Sequence, residues 1–351
     1  MSNRPTLVFT GGHHTSALVV AKKIQANGES IIWFGHRHSM WGDTSDSAEY
    51  QEVTQAGIKF YDLKAGKFYK MFHPLQLIRI PIGFFQSLFL LMLLRPRGIV
   101  SFGGYLAVPT IISGWLLGIP SLTHEQTVTA GLANKIISLF VKKIAVSWAE
   151  SAKFYPRSKV VVTGLPLRPE ILKIKNKKLS PSSLALSTIY VTGGKNGSQT
   201  INQVIFSLLP NLTKRYRIIH QTGYRDLPLA QSQKFPNYVA FDYDSAKAIE
   251  ALSLCDLVIS RAGAHIVYEL AVLGKPGILI PIPWVSHNEQ MQNAKLLAAR
   301  HLAVILPQHD LSPKSLLIAI DQAKSLKFQK TNSPPNGTDN LIQLIKQEFR
   351  L

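Results

Sequence analysis

Short, apolar, β-branched runs alternate with helical stretches from one end of the chain to the other. "TLVFT", "SIIWFG", "GIVSFG", "SLTHE", "KIAVSW" and "KVVVTG" punctuate the first half, and "TIYVTGG", "YRIIHQTG", "YVAFDY", "DLVISRAG", "GILIPIP" and "LAVILP" the second. Continuous hydrophobicity of this kind is what a parallel strand covered on both faces requires. Between the runs lie helical stretches such as "TSALVVAKKIQANG" and "AHIVYELAVLGKP", the latter stopping on Gly274 with Pro276 just beyond. Repeated strand–helix–strand units predict parallel sheets of the α/β class.

The pattern breaks over residues 164–187, "GLPLRPEILKIKNKKLSPSSLALS", where prolines and lysines replace apolar periodicity. That break predicts a first domain over 1–164, a linker over 165–187, a second domain over 188–335 and a C-terminal amphipathic helix over 336–351 that packs back on the first domain. Two doubly wound domains of similar size would then face a cleft, with loops at the carboxyl ends of their strands turned into it. "KFQKTNSPPNGTDN" reads as a loop.

The 351 residues suffice for two cores, and 46% hydrophobic with 17% charged residues suits a globular enzyme. A formal charge of +19 points toward polyanionic partners. The basic residues are scattered, with no zinc-finger spacing and no RNP-like signature, so no nucleic acid is expected. The single cysteine, Cys255, excludes an intrachain disulfide and reads as core filler. No secretory leader is expected from "MSNRPTLVF". The apolar run "IPIGFFQSLFLLMLL", residues 80–94, contains Pro81 and Gln86 and falls short of the roughly 20 residues a spanning helix needs. It reads as a buried helix or as a membrane-surface patch flanked by Arg79, Arg95 and Arg97.

Four stretches carry candidate chemistry. "TLVFTGGHHTSALVVAKK" is strand, Gly-Gly turn and helix, with His13 and His14 at the turn; His14 reads as a surface residue. "YVTGGKNGSQTINQ" repeats the pattern without the spacing of a P-loop or a dinucleotide fingerprint. Gly193, Gly194 and Gly197 let the backbone approach a phosphate and Lys195 adds charge, although a tight packing turn explains the glycines equally well. In "DLVISRAGAHIVYELAVLGKPGILIPIP" a strand ends in Arg261-Ala262-Gly263-Ala264, whose three small residues after Arg261 leave room at a helix start. Glu269 either accepts the two hydroxyls of a ribose or lies on a solvated face, and "HNEQMQNAKLL" offers groups suited to sugar hydroxyls. "SLTHEQTVTAGLANK" sets His124, Glu125, Gln126 and Thr127 behind a strand. No metal site is expected: Val128 breaks the HExxH pattern, no His/Cys cluster has ligand spacing, and "DYD" at 242–244 lies in a loop before a helix.

Taken in order, these motifs resemble the MurG family of glycosyltransferases over nearly the whole chain. "TGGHHTSALVVA", "SFGGYLAVP", "HEQTVTAGLANK", "TGLPLRPEIL", "GGKNGSQTINQ" and the donor-region stretch followed by "QMQNA" each resemble a family segment. The resemblance implies a GT-B fold and an inverting transfer with no cofactor and no essential metal. It implies movement of GlcNAc from UDP-GlcNAc to the 4-hydroxyl of undecaprenyl-diphosphate-MurNAc-peptide, at the cytoplasmic face of the plasma membrane. It makes His13 the base, with Glu125 as its orienter or substitute. Thr10, Gly11, Gly12, Thr127, Arg168, Gly194, Lys195, Asn196, Ala264, His265, Ile266, Glu269, Glu289 and Gln290 would contact the donor. Gly103, Gly104, Tyr105, His124 and Gln126 would contact the acceptor. The sequence departs from the family at Val8, Phe9, Thr127, Leu165, Lys195, Asn196, Ile266 and Glu289, and is longer over 241–255. Those departures leave open the exact donor sugar and the uracil contact. A transferase that glycosylates diacylglycerol and a non-catalytic homologue that binds nucleotide sugar or lipid stay as alternatives.

Overall fold

The structure, a computed structural model, describes residues 7–38, 45–66, 74–176, 186–284, 288–326 and 334–351. The chain forms two units, residues 1–168 with 335–351 and residues 169–334.

The first unit runs β1 (Leu7–Thr10), α1 (His14–Ala26), β2 (Ile31–Gly35), α2 (Ala48–Gln55), β3 (Lys59–Asp62), α3 (Pro74–Leu94), β4 (Gly98–Ser101), α4 (Ala107–Leu116), β5 (Ser121–Glu125), α5 (Leu132–Phe140), β6 (Lys143–Val146) and β7 (Val160–Val162). Its strands form one parallel sheet in the order β3-β2-β1-β4-β5-β6-β7. β1 lies between β2 and β4, with Val8 opposite both Ile32 and Ile99. Both faces of these strands are covered, which is why their sequences are apolar throughout. Leu7, Phe9, Trp33, Val100 and Phe102 pack on one face, and Val8, Phe34, Ile99, Ile111 and Ile144 on the other. β3, "KFYD", escapes the sequence reading because it is an edge strand whose side chains stay partly or fully exposed.

The second unit runs α6 (Pro169–Asn176), β8 (Ser187–Thr192), α7 (Gln199–Leu212), β9 (Tyr216–Gln221), α8 (Leu227–Ser232), β10 (Tyr238–Phe241), α9 (Ser245–Leu254), β11 (Leu257–Ser260), α10 (Ala264–Leu273), β12 (Gly277–Leu279), α11 (Glu289–Ala299), β13 (Ala303–Ile305) and α12 (Pro313–Lys324). Its parallel order, β10-β9-β8-β11-β12-β13, repeats that of the first six strands of the other sheet. Each sheet therefore has a point where the chain crosses back, between β1 and β4 and between β8 and β11. Ligands in doubly wound sheets bind beyond the strand ends at such a switch point.

The last element, α13 (Gly337–Phe349), belongs to the first unit. It begins before the end of the predicted loop, whose residues 327–333 lie outside the described set. Leu341, Ile345 and Phe349 complete the core under β1 and β4. Gly337 is needed there, since a Cβ would lie 2.2 Å from the Gly164 carbonyl oxygen. The predicted linker is partly built into the units. Leu165 and Leu167 are buried in the first, and Ile171 of α6 is buried in the second; residues 177–185 lie outside the described set.

α3 corrects the expectation of a wholly buried helix. Gly83 packs so closely that a Cβ would lie 2.9 Å from the Ala65 Cα. Gln86 donates to the Asp62 carbonyl and accepts from the Lys64 N–H, both at 2.9 Å, tying the helix to the end of β3. Phe85, Phe89, Met92 and Leu93 of the same helix are exposed. No helix among the described residues is long and apolar enough to cross a membrane.

Candidate active site

At the first switch point two glycine turns lock together. Gly11 has φ of 128°, and a Cβ there would lie 2.7 Å from the Gly103 carbonyl oxygen. The Gly12 N–H donates to that same oxygen at 3.0 Å, and the Phe102 N–H donates to the Thr10 carbonyl at 2.8 Å. A Cβ on Gly104 would lie 3.1 Å from the Gly12 nitrogen. The sequence brings Thr10, Gly11, Gly12, His13, Gly103, Gly104 and Tyr105 to the adjoining carboxyl ends of β1 and β4.

β5 lies beside β4 and delivers His124 and Glu125 to the same end. Glu125 is buried and saturated. Its Oε1 accepts from the Thr127 N–H at 3.1 Å and the Thr127 hydroxyl at 2.9 Å. Its Oε2 accepts from the Asn134 amide and the Tyr155 hydroxyl, both at 2.8 Å, and from the Gly131 N–H at 3.4 Å. A carboxyl group so surrounded by protein donors is held rigidly and is turned toward the protein rather than toward a substrate hydroxyl. The Thr127 hydroxyl is likewise engaged, with Glu125 and with the Thr129 carbonyl. Asn134 links this cluster to the second glycine turn. It accepts from Thr123 Oγ1 at 3.2 Å, and its amide fills the space a Cβ on Gly103 would need.

His13 is partly exposed at the N-cap of α1 and makes no capping hydrogen bond. Burial lowers its pKa, the Glu125 charge opposes that shift, and His14 adds to it. His14 is no surface residue: it is half-buried, with Nε2 3.3 Å from Glu52 Oε2 on α2. His124 is 1% exposed. Its Nε2 contacts the Gly164 carbonyl at 3.1 Å, and burial pulls its pKa down to about 4. Thr10 Oγ1, His124 Nδ1 and Gln126 Oε1 are buried with no protein partner, and all three stand at the ends of β1 and β5. Beside these strand ends, Gly12, Gly104 and Tyr105 border a pocket of about 260 Å³ that His14, His36, His38 and Glu49 also line. Burial pushes the Tyr105 phenol up to about 12, so it is a hydrogen-bond donor at neutral pH.

The second switch point carries the other glycine loop. A Cβ on Gly197 would lie 1.9 Å from the Thr222 carbonyl oxygen, and one on Gly193 2.3 Å from the Ser198 nitrogen. Those two glycines serve packing. Gly194 faces open space, as does Gly263 across from it in sequence at the start of α10. Thr192 Oγ1 accepts from the Gly194 N–H at 3.0 Å, and the Gln221 amide donates to the Gly194 carbonyl at 2.8 Å. Lys195 stands over the Tyr243 ring, 5.0 Å from its centroid, and Asn196 is exposed. In α10 the first internal bond joins the Val267 N–H to the Gly263 carbonyl, so the N–H groups of Ala264, His265 and Ile266 open the helix ahead of it. Glu269 is buried, which removes the solvated-face alternative. The Gln290 Oε1 accepts from the Ile282 N–H at 3.1 Å. Glu289 begins α11 beside it, and Asn293 of that helix donates to the Ala262 carbonyl at 3.1 Å. Arg168 is half-exposed just before α6. Of "DYD", Asp244 caps α9 through the Ala246 and Lys247 N–H groups.

Sequence reasoning missed the residues that hold these sites together. Tyr155 and Asn134 bond to Glu125 at the end of β5, Gln221 to the Gly194 carbonyl and Arg261 to Ser198. Asn134 carried a signal as a polar residue within a singled-out segment, and Arg261 was read only as part of a strand end.

Residues 8–146 match the glycosyltransferase family 28 N-terminal domain and residues 188–347 the family 28 C-terminal domain. A Bacillus cereus protein named UDP-N-acetylglucosamine--N-acetylmuramyl-(pentapeptide) pyrophosphoryl-undecaprenol N-acetylglucosamine transferase 2 is 32% identical, over 97% of this chain and 98% of its own. A Legionella pneumophila protein named as the same transferase, without the numeral, is 30% identical over 98% and 97%. The crystal structure of Acinetobacter baumannii MurG aligns with a TM-score of 0.72 at 26% identity, covering 98% of this chain and all of that one. With the fold, the two glycine-loop sites and full-length relatives in agreement, the chain belongs to the MurG family of glycosyltransferases.

Proposed function

We propose that the chain moves N-acetylglucosamine from UDP-N-acetylglucosamine to the 4-hydroxyl of an undecaprenyl-diphosphate-linked N-acetylmuramoyl peptide, with inversion and without an essential metal. The observation that carries this reading is similarity along the whole chain to relatives named for that reaction. The hydroxyl loses its proton to His13 as it attacks the donor C1. A base with a pKa near or below neutrality is unprotonated and ready at pH 7. Glu125, fixed by its five donors, stabilises the imidazolium through its charge rather than by taking the proton. Gly103, Gly104, Tyr105, His124 and Gln126 hold the acceptor. On the donor side, the opening N–H groups of α10, Gly194, Lys195, Asn196 and Arg168 receive the diphosphate. Glu269 takes the ribose, and Glu289 and Gln290 take the sugar.

The protein works as a peripheral enzyme on the anionic cytoplasmic leaflet. Exposed Phe85, Phe89 and Leu93 of α3, Trp115 and Leu116 of α4, and Leu132, Ile136 and Leu139 of α5 support this. So do exposed Arg95 and Arg97 just after α3 and Lys135 on α5, since basic residues beside an apolar face favour acidic headgroups. The test is incubation with purified lipid-linked acceptor and a panel of UDP-sugars, scored by UDP release and product mass. A product only with diacylglycerol, or UDP binding without turnover, would replace this reading.

A further inference from the structure

The pocket of about 260 Å³ beside the first glycine turns contains a carboxyl group to which the reaction above gives no role. Glu49 is the second residue of α2 and lines that pocket with Gly12, Gly104 and Tyr105. Its Oε1 accepts from the indole N–H of the fully buried Trp33 at 2.7 Å, which anchors it to β2. Burial raises its pKa, and the Trp33 bond, His14 and His36 act against that rise. Among the described residues, Trp33 and the His36 main chain are the donors to this carboxylate, and a carboxylate can accept about four.

The charges around the pocket disfavour a phosphate. Glu49 already complements the N-terminus of α2 from its first turn, and the Ser47 cap accepts from the Tyr50 N–H at 3.1 Å. The imidazoles on the wall are engaged as well. His14 faces Glu52 at 3.3 Å, His36 Nδ1 faces Asp62 at 3.9 Å, and His38 Nδ1 meets the Ser45 carbonyl at 2.9 Å. An anion entering here would meet like charge. An N–H donor would not. Tyr105 stands on the same wall, its ring 5.6 Å from that of His36, and its phenol is protonated at neutral pH. A carboxylate that accepts and a phenol that donates match the N–H and C=O of one amide. Ligand pockets usually measure roughly 300–1,000 Å³, so this one suits a part of the acceptor.

We propose that this pocket binds an amide of the acceptor's N-acetylmuramoyl peptide, with Glu49 accepting from the amide N–H and Tyr105 donating to its carbonyl oxygen. The inference rests on the acceptor reading above. The acceptor carries such a group in its acetamido substituent and again at the lactyl-peptide bond. Held beside the Gly12 and Gly104 turns, either one fixes the rotation of the sugar relative to the turn that carries His13. A polyprenyl diphosphate without the sugar peptide gains nothing from the pocket.

The test is turnover of a short-chain polyprenyl-diphosphate-linked N-acetylmuramoyl peptide and of two analogues. In each analogue an ester oxygen replaces one N–H, that of the acetamido group or that of the lactyl-peptide bond. With wild type, one analogue is expected to lose about tenfold to a hundredfold in kcat/KM, the range for a hydrogen bond to a charged group, and it identifies the amide. Glu49→Gln is expected to lose about as much with the normal acceptor and nothing further with that analogue. UDP affinity and Tm should stay unchanged, because the new amide oxygen still accepts from Trp33. Inhibition by the bare short-chain polyprenyl diphosphate should be equal in both proteins. Wild type that uses both analogues at full rate overturns the proposal, whether or not the variant folds. So does a Glu49→Gln loss that adds in full to both analogue losses. Inhibition by the diphosphate that tightens about tenfold in the variant would put the anion in the pocket and also overturns it. Wild type that turns over no acceptor would remove the acceptor reading and the proposal with it.

Discussion

His13 and Glu125 stand at the carboxyl ends of β1 and β5 in the first sheet, but their hydrogen bonds separate their roles. His13 makes no cap bond and is partly exposed, whereas Glu125 is enclosed by five donors. His13→Ala is expected to lower kcat by about 10²- to 10⁴-fold, the range for a lost general base, with UDP affinity intact. In wild type the acid limb of kcat/KM should fall below pH 6.5, because burial lowers the His13 pKa; the variant should lack that limb. Glu125→Gln is expected to lower thermal stability as well as activity, since an amide nitrogen would face donors it cannot accept. A stable Glu125→Gln protein with normal unfolding would refute the structural role. Two other histidines set the response of stability to acid. His124 and His220 are buried and neutral, with pKa values pulled down to about 4 and about 3 by burial. The unfolded chain protonates near 6.5, so between the two values it binds more protons than the native state, and stability falls as pH drops below 6.5. Each contributes on the order of 3 kcal/mol to that loss. The urea midpoint should therefore fall between pH 7 and pH 4.5, and His220→Gln should flatten the slope; a flat wild-type profile would count against it. At this scale the sequence revealed residue types and their neighbourhoods. It could not reveal that Thr127 turns back on Glu125 or that His14 pairs with Glu52, because both depend on partners brought in by folding.

At the scale of elements, the twelve apolar runs read from the chain are all strands, and only β3 escapes, because an exposed edge lacks the doubly covered pattern. The helices were harder. The run at 80–94 could not be sorted into core or surface, since both readings demand apolar residues. Packing divides it: Gly83, Ser87 and Leu91 face inward, and Phe85, Phe89 and Leu93 face out. Replacing those last three by serine is expected to abolish sedimentation with vesicles rich in anionic phospholipid. Their exposure predicts little change in Tm, as surface substitutions typically shift stability by about 0.5 kcal/mol or less. Undiminished vesicle binding would sink the docking role of α3. The glycine turns show the same division. The spacing announced a close approach, but only the fold tells that Gly11 and Gly197 approach backbone while Gly194 and Gly263 approach empty space.

At the scale of the whole molecule, two sheets of the same strand order arise from sequences with no visible repeat. Topology is set by the order of strand and helix periods, and many different side chains satisfy one order, so the likeness is invisible residue by residue. The sequence shows a break in periodicity over residues 164–187. The two compact units divide at 168/169 and 334/335, and buried leucines and a helix occupy much of the proline-rich segment. Removing residues 335–351 is expected to strip Leu341, Ile345 and Phe349 from the first core and expose β1 and β4. Thermal unfolding should then show the first unit melting well below the second, at a cost of several kcal/mol for core side chains lost together; unaltered melting would refute the dependence. That placement of α13 also fixes a timetable. Chains emerge from the ribosome N-terminus first, and domains generally fold as they appear. The first unit cannot follow that schedule: it waits, with an open hydrophobic trough, through synthesis of all of residues 169–334. The unit made second is therefore the first able to finish folding, and the exposed trough is the surface a chaperone would have to cover in the interval.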